Sequence, residues 1–188
     1  NPLILKAGGA VFVLDQGKSN AIMPANAAQH DVRTMKPDTL ITNAGRNPEA
    51  NFGIVNPPVY HASTVLYPTL DALEAGQNHR EPGKVYYGRS GTPTTFAFED
   101  AVAALDGAYR TIAVGSGVAA VTAAILAFVR GGDHVLMVDN VYGPTRKFCD
   151  TLLGRFGVET TYYDPLIGAQ IAALIRPNTR AIFMEGPG

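Results

Sequence analysis

Residues 111–140 of the chain read TIAVGSGVAAVTAAILAFVRGGDHVLMVDN. The stretch opens with a short β-branched and apolar run from Thr111 to Val114, which leads into the glycine turn Gly115-Ser-Gly117. An apolar segment with helical spacing follows and ends at the pair Gly131-Gly132. The next run, from His134 to Val138, is continuously apolar after its histidine and is typical of a buried strand. The stretch therefore predicts a strand, a helix and a second strand.

The same alternation continues to the last residue. A helix is predicted from Pro144 to Gly157, a third strand from Val158 to Tyr163, a further helix from Ile167 to Ile175, and a fourth strand from Arg180 to Met184. Alternating strands and helices imply right-handed crossovers, so we predict an α/β fold with a mostly parallel sheet. Because the chain stops directly after a strand, we expect a truncated domain whose fourth strand lies at or near the edge of an unfinished sheet.

The chain before this region differs in character. Residues 1–34 contain one strand candidate, Gly9 to Leu14, and then a small, polar stretch without period, so we interpret them as a leader of uncertain status outside the fold. Residues 35–91 are rich in proline and loops, with one short helical piece at Asp71 to Ala75, and are interpreted as an N-terminal arm packed on a partner. Residues 92–188 form the α/β domain, whose first helix begins at Thr92-Pro93.

The composition excludes several classes of protein. Of the 188 residues, 46% are hydrophobic and 16% are charged, which is too apolar for a disordered chain. Lys and Arg total 15 and Asp and Glu total 16, so neither nucleic acid nor an acidic membrane is expected as a partner. The single cysteine, Cys149, excludes a disulfide framework and is interpreted as a packed thiol. No run of 18 apolar residues occurs, and we predict a cytoplasmic protein.

The histidines share no spacing typical of metal ligands, so we predict no metal site and interpret them as loop and core residues. They are His30, His61, His79 and His134.

The glycine turn before the helix is the strongest local motif. Free backbone N–H groups lie at the positive end of that helix, which favours an anion such as phosphate. Gly117 lets the backbone approach such a ligand, and Ser116 can cap the helix and donate a hydroxyl hydrogen bond. A plain serine-capped helix is an equally good interpretation of these residues. The motif also fits a dinucleotide fingerprint, since Asp139 ends the next strand 24 positions after Gly115. A nicotinamide-dependent oxidoreductase half-domain is therefore a rival, and a non-catalytic interaction module is a third possibility.

Three other polar clusters are candidates for the same site. Arg89 can grip a phosphate and Tyr87 can project to the same side of an extended backbone, although both can equally be surface or loop anchors. Tyr142, in the loop after the second strand, can stack on a planar cofactor or can simply be packed. Glu185 ends the fourth strand, where it can orient a ligand or a neighbouring side chain, or can be solvated.

Several motifs in one order resemble the pyridoxal-phosphate (PLP) enzymes of cysteine and methionine metabolism, and most of all their carbon–sulfur β-lyase branch. The resemblance covers about residues 36–188. Its motifs are residues 56–64 (NPPVYHAST), 87–94 (YGRSGTPT), 115–117 (GSG), 132–136 (GDHVL), 140–145 (NVYGPT), 164–168 (DPLIG), 176–179 (RPNT) and the strand ending at Glu185.

The resemblance implies a PLP-dependent transferase-like fold (fold type I) and a role for each site residue. Ser116, Gly117 and Val118 would bind the phosphate of PLP, and Tyr142 would stack on its ring. Tyr87 and Arg89 would reach the phosphate of the neighbouring subunit's cofactor, which implies a homo-oligomer, a dimer of dimers. Tyr87 and Tyr142 are the implied catalytic residues.

The implied reaction is β-elimination from cystathionine in methionine biosynthesis, which gives homocysteine, pyruvate and ammonia. The γ-synthase and γ-lyase reactions of the same family stay open. Lys84 and Lys147 do not match the family's cofactor-binding lysine, and Gly186 stands where a serine is usual. We therefore expect the 188 residues to be an inactive N-terminal portion with an incomplete PLP-binding domain.

Overall fold

The computed structural model describes residues 2–7, 10–15, 35–78, 81 and 83–186. Its strands are β1 (Pro2–Ala7), β2 (Ala10–Asp15), β3 (His134–Val138), β4 (Glu159–Tyr163) and β5 (Thr179–Glu185). Its α-helices are α1 (Pro37–Asn43), α2 (Leu70–Asn78), α3 (Pro93–Asp106), α4 (Gly117–Leu126) and α5 (Gly143–Phe148). Within these ranges, no helix has the length and apolar character that crossing a membrane requires.

The chain divides into two compact units. Of the described residues, one unit comprises 2–7, 10–15 and 114–186, and the other comprises 35–78, 81 and 83–113. The first unit holds the sheet, in the order β1-β2-β5-β3-β4. Strand β3 pairs in parallel with both β4 and β5, which confirms the predicted α/β fold and its parallel sheet.

The core of the first unit is built around β3. All five of its residues are buried, because the strand has hydrogen-bonded neighbours on both sides and apolar side chains on both faces. Phe183 of β5 and Leu153, in a π-helical turn after α5, are among the fully buried side chains that surround it. The hydroxyl of Tyr163 donates to the carbonyl of Phe183 at 2.8 Å, which satisfies its polar end inside this core.

The N-terminal residues depart from the predicted leader. We expected one short strand at most, outside the fold, but β1 and β2 form an antiparallel hairpin that pairs with β5. The short apolar run of this segment gave only a weak local signal, whereas its pairing depends on the distant partner β5. Residues 16–34, which the sequence analysis also assigned to the leader, lie outside the described residues.

The position of the fourth predicted strand, β5, also differs from expectation. The edge position predicted for it is wrong, since it lies between β3 and β2 and is paired on both sides. Strand order depends on which strands pair in space, and the alternation along the chain leaves that order open.

Two predicted elements take other forms. Thr111 to Val114 is not a strand, and its Ile112 is 72% exposed. The N–H of Ala113 in that run donates to the carboxylate of Glu99 at 2.7 Å rather than to a neighbouring strand. The helix expected from Ile167 to Ile175 is a 3-10 helix at Gly168–Leu174.

The second unit combines helices with extended chain. Helix α2 is longer than predicted, and α3 begins at Pro93 and ends before Gly107, as expected. Thr94 ties the extended arm to α3, because its hydroxyl donates to the carbonyl of Pro58 at 2.7 Å and accepts from the N–H of Tyr60 at 2.8 Å. Much of this arm carries exposed apolar side chains, of which Phe52 is 98% exposed.

Candidate active site

The N-terminus of α4 presents backbone N–H groups without a partner. Ser116 precedes the helix in an extended conformation, and its Oγ accepts from the N–H of Ala119 at 3.1 Å. Its carbonyl accepts the next N–H, that of Ala120, at 3.0 Å. In the described part of the chain, no acceptor lies within hydrogen-bonding distance of the N–H groups of Gly117 and Val118. Two donors at the positive end of a ten-residue helix suit an anion.

The two glycines of this turn leave open space beside the donors. A Cβ atom placed on Gly115 or on Gly117 would meet no atom within 4 Å. Neither residue has a positive φ, so the backbone conformation does not itself require glycine. The absence of side chains instead gives a ligand close access to the backbone.

Tyr142 lies in the turn between β3 and α5. Its side chain is 56% exposed. Its backbone N–H donates to Oε2 of Glu185, at the end of β5, over 3.3 Å. Since β3 and β5 are parallel neighbours, their carboxyl ends bring these two residues to the same edge of the sheet. The backbone of Tyr142 is thus held while its ring stays accessible.

Asp139 is a paired carboxylate. Nη2 of Arg146 donates to Oδ1 of Asp139 at 2.6 Å and also to its backbone carbonyl. The guanidinium of Arg146 lies 3.9 Å from the ring centroid of Tyr162. Sequence analysis named Asp139 but missed Arg146, although their spacing of seven residues across a strand end and a helical turn was an available signal.

Tyr87 and Arg89 lie together in the second unit. Tyr87 is extended and precedes a 3-10 turn at Gly88–Ser90. Its hydroxyl lies 3.1 Å from Oγ of Ser63, and the guanidinium of Arg89 lies 5.6 Å from its ring centroid. Within the described ranges, no carboxylate pairs with Arg89 and no acceptor takes its N–H groups. Its charge is therefore available to an anion.

Gly88 fixes the path of this second cluster. Its N–H donates to the carbonyl of Ser63 at 2.7 Å. A Cβ atom at this position would lie 1.7 Å from the carbonyl oxygen of Ala62, so no larger residue fits without a shift of the backbone. The segment 62–63 and the Tyr87 turn are consequently packed backbone to backbone.

Two titratable groups of the core do not belong to the site. The thiol of Cys149 is buried, and this burial raises its pKa to about 11, which confirms the packed thiol and disfavours a nucleophile. His134 is fully buried, with Nδ1 2.8 Å from the Thr179 hydroxyl and Nε2 2.9 Å from the Thr161 hydroxyl. It is a core residue, as predicted. His30 and His79 lie outside the described residues.

Comparison with known proteins decides between the open alternatives. The sequence profile of the family described as Cys/Met metabolism PLP-dependent enzyme matches residues 38–188. The chain belongs to this family. PLP is therefore the cofactor of its family, as predicted. The alternative of a nicotinamide-dependent oxidoreductase half-domain is wrong. The pairing of Asp139 with Arg146 is consistent with that outcome, since a dinucleotide site would use this carboxylate for ribose.

Relatives within the family share much of this chain. A Rhizobium johnstonii protein with the provisional name cystathionine beta-lyase is 52% identical over 151 residues, which are 80% of this chain and 37% of that protein. The cystathionine beta-lyase MetC of Escherichia coli is 40% identical over 153 residues, which are 81% of this chain and 39% of that protein. The chain thus spans less than half of the length of these relatives.

Solved structures of the family share the fold. The cystathionine gamma-lyase of Lactobacillus plantarum, in complex with L-serine, matches with a TM-score of 0.67 and 34% identity over 79% of this chain and 36% of that one. A Campylobacter jejuni protein, provisionally an O-acetylhomoserine (thiol)-lyase, matches with a TM-score of 0.71 and 27% identity over 79% of this chain and 36% of that one. That structure holds a pyridoxyl-lysine phosphate. These likenesses confirm the predicted PLP-dependent fold.

The residues present fit a phosphorylated, planar cofactor. The unpartnered N–H groups of Gly117 and Val118 match a phosphate, and the open space at both glycines of the turn gives it room. The accessible ring of Tyr142 offers a flat apolar surface.

Proposed function

We propose that the intact protein is a PLP-dependent carbon–sulfur lyase that cleaves cystathionine by β-elimination. With one water molecule, cystathionine yields homocysteine, pyruvate and ammonia. The observation that carries the proposal is the pair of unpartnered N–H groups at Gly117 and Val118, at the positive end of α4. The high identity to relatives that are named cystathionine beta-lyase favours the β-lyase reaction.

In this proposal each residue of the first unit has a binding or orienting role. Gly117 and Val118 donate backbone N–H groups to the phosphate, and Ser116 adds the hydrogen of its hydroxyl, whose oxygen already caps the helix. Tyr142 stacks on the pyridine ring and sets its tilt. When bound, PLP supplies an electron sink for the carbon next to the substrate amine.

Tyr87 and Arg89 act in a second place, at the cofactor of a neighbouring subunit. The uncommitted guanidinium of Arg89 supports a charge-assisted contact with the phosphate. The Tyr87 hydroxyl, held near Ser63, would accept or donate a proton at the substrate amine. The exposed apolar arm of the second unit, with Phe52 and Leu66 at 98% and 91% exposure, supports burial against another copy in a dimer of dimers. We place this homotetramer in the cytoplasm, where amino-acid metabolism supplies its substrate.

The experiment that tests the proposal measures products. The intact protein, loaded with PLP, is incubated with L-cystathionine, and the keto acid and the thiol are identified. A β-lyase releases pyruvate and homocysteine in equal amounts. Release of 2-oxobutyrate and cysteine would instead assign the γ-lyase reaction, which the likeness to a cystathionine gamma-lyase favours as second candidate. Release of neither product pair would contradict both reactions.

A further inference from the structure

Arg146 reaches back from α5 to the start of the turn that carries Tyr142. One NH₂ group, Nη2, has two hydrogens, and these serve the backbone carbonyl and Oδ1 of Asp139 together. Asp139 directly follows β3, so Arg146 links the end of this strand to the helix after the turn. Because a backbone atom takes part, the contact fixes the path of the chain as well as a side chain.

The guanidinium of Arg146 is itself held by β4. It lies 3.9 Å from the ring centroid of Tyr162, and the Tyr162 hydroxyl donates to Oδ1 of Asp150 at 2.6 Å. A planar guanidinium that stacks on an aromatic ring and also donates in its plane has a defined orientation, which a lysine ammonium would lack. Four side chains thus connect the end of β3, helix α5, the π-helical turn after it and strand β4: Asp139, Arg146, Asp150 and Tyr162.

The turn is held from its other side as well. Glu185 accepts the N–H of Tyr142, and the carbonyl of Tyr142 accepts the N–H groups of Thr145 at 2.9 Å and of Arg146 at 3.2 Å. Every backbone polar atom of Tyr142 is therefore engaged, while its ring is free. This is the arrangement that presents an aromatic ring to a ligand in one orientation.

We propose that Arg146 is a positioning residue for cofactor binding, which acts by fixing the turn from Asp139 to Tyr142. The inference rests on the proposed function, since it assigns Tyr142 to the ring of PLP. It predicts that Arg146 and Tyr142 are energetically coupled in PLP affinity, although the Arg146 side chain bonds Asp139 and not the Tyr142 ring.

A double-mutant cycle in the intact protein tests the coupling. PLP is titrated into the apoprotein of the parent, Arg146→Gln, Tyr142→Ala and the double variant, and binding is followed by the visible absorbance of the cofactor. We expect Arg146→Gln to raise the dissociation constant about fivefold, as for one displaced aromatic contact. In the Tyr142→Ala background the same change should have less than a twofold effect. The visible circular dichroism of bound PLP should weaken in Arg146→Gln, because the ring loses its fixed tilt.

Two further variants keep the result interpretable. Arg155→Gln removes an arginine whose side chain makes no hydrogen bond or ion pair with another described residue, and this variant should bind PLP like the parent. If Arg146→Gln does not fold, Arg146→Lys is used in the same cycle, where the charge is kept but the planar contact is lost.

The outcomes separate this inference from the proposed function. An unchanged dissociation constant in the Arg146 variant, or an equal loss in both Tyr142 backgrounds, would overturn the positioning role. If the parent binds no PLP, the proposed function fails first. If the parent binds PLP and Tyr142→Ala weakens it, while the Arg146 variant matches the Arg155 control, only the inference about Arg146 fails.

Discussion

The carboxylate of Glu185 and the backbone of Tyr142 are joined by a hydrogen bond of 3.3 Å, from the Tyr142 N–H to Oε2. The contact connects the end of β5 to the turn after β3, two points that lie 43 residues apart in the chain. Glu185 therefore helps to position a neighbouring residue at the sheet edge and does not contact solvent alone.

Glu185→Ala should therefore weaken PLP binding, because it frees the N–H of Tyr142 and loosens the turn. A lost hydrogen bond to a charged acceptor corresponds to about 1.5–3 kcal/mol at most, and part of this will appear in cofactor affinity. Titration of PLP into the apoprotein measures the effect. Glu185→Gln is the matched control, since its amide oxygen can still accept the bond, and it should retain most of the affinity. Equal losses in both variants would point to the charge of Glu185 instead.

Gly88 and Gly117 should respond differently to the same substitution. Gly88→Ala places a Cβ atom against the carbonyl of Ala62, so we expect the free energy of unfolding to fall by about 1–3 kcal/mol. Gly117→Ala meets open space at the first position of a helix and should change this free energy by less than about 0.5 kcal/mol. Denaturant unfolding of the intact protein measures both values.

A cofactor titration provides a second test of Gly117. The added methyl group at Gly117 lies where the phosphate would approach, so PLP affinity should fall although stability does not. Gly143→Ala is the control, because its Cβ atom also meets nothing within 4 Å and the residue is assigned no contact with the cofactor. A Gly117→Ala protein that binds PLP like the parent would remove this turn from the phosphate site.

Arg89→Ala should weaken PLP binding at least tenfold, since a charge-assisted contact with phosphate is lost. Arg89→Lys keeps the charge without the bidentate geometry and should recover only part of the affinity. The same titration measures both variants. If the contact crosses a subunit interface, hybrids of Arg89→Ala with Tyr142→Ala subunits should regain some intact sites. Unchanged affinity in Arg89→Ala would leave this residue on the surface.

The stability of the first unit should depend on pH through His134. Burial holds the pKa of this histidine below its ordinary value of 6.5, and the positive charge of Arg176 acts in the same direction, while Glu159 opposes both. As the pH falls, His134 therefore takes up a proton at a higher pH in the unfolded chain than in the folded one. The free energy of unfolding should have its full value above pH 6.5 and should decrease as the pH falls below that value.

Urea unfolding between pH 5 and 7.5 measures this dependence. The pKa values of Asp133 and Glu159 are lowered by their hydrogen bonds, to the Arg130 N–H and to Arg176 respectively, so these carboxylates contribute at more acidic pH. His134→Gln cannot titrate and should flatten the curve in this window. A wild-type stability that stays constant from pH 7.5 to 5 would contradict the prediction, and titration of the His134 ring by NMR provides the same test without a variant.

The sequence by itself was sufficient for several local elements and for the family. Helix α3 starts at its Thr-Pro signal and stops before Gly107, and β3 has the bounds expected from its apolar run. These features depend on backbone conformation and on hydrophobic runs that neighbouring residues specify. Neighbouring residues also specify the glycine turn before α4, and its unpartnered backbone N–H groups follow from the helix end itself.

Only the tertiary structure decided which distant groups meet. The partner of Asp139, the contact of Glu185 with Tyr142 and the interior position of β5 all depend on strands and helices that pair across long stretches of chain. The run from Thr111 to Val114 illustrates the same limit, since its β-branched residues favour a strand but its Ala113 N–H is taken by Glu99. Propensity describes one segment, whereas a strand exists only where a second segment supplies its hydrogen bonds.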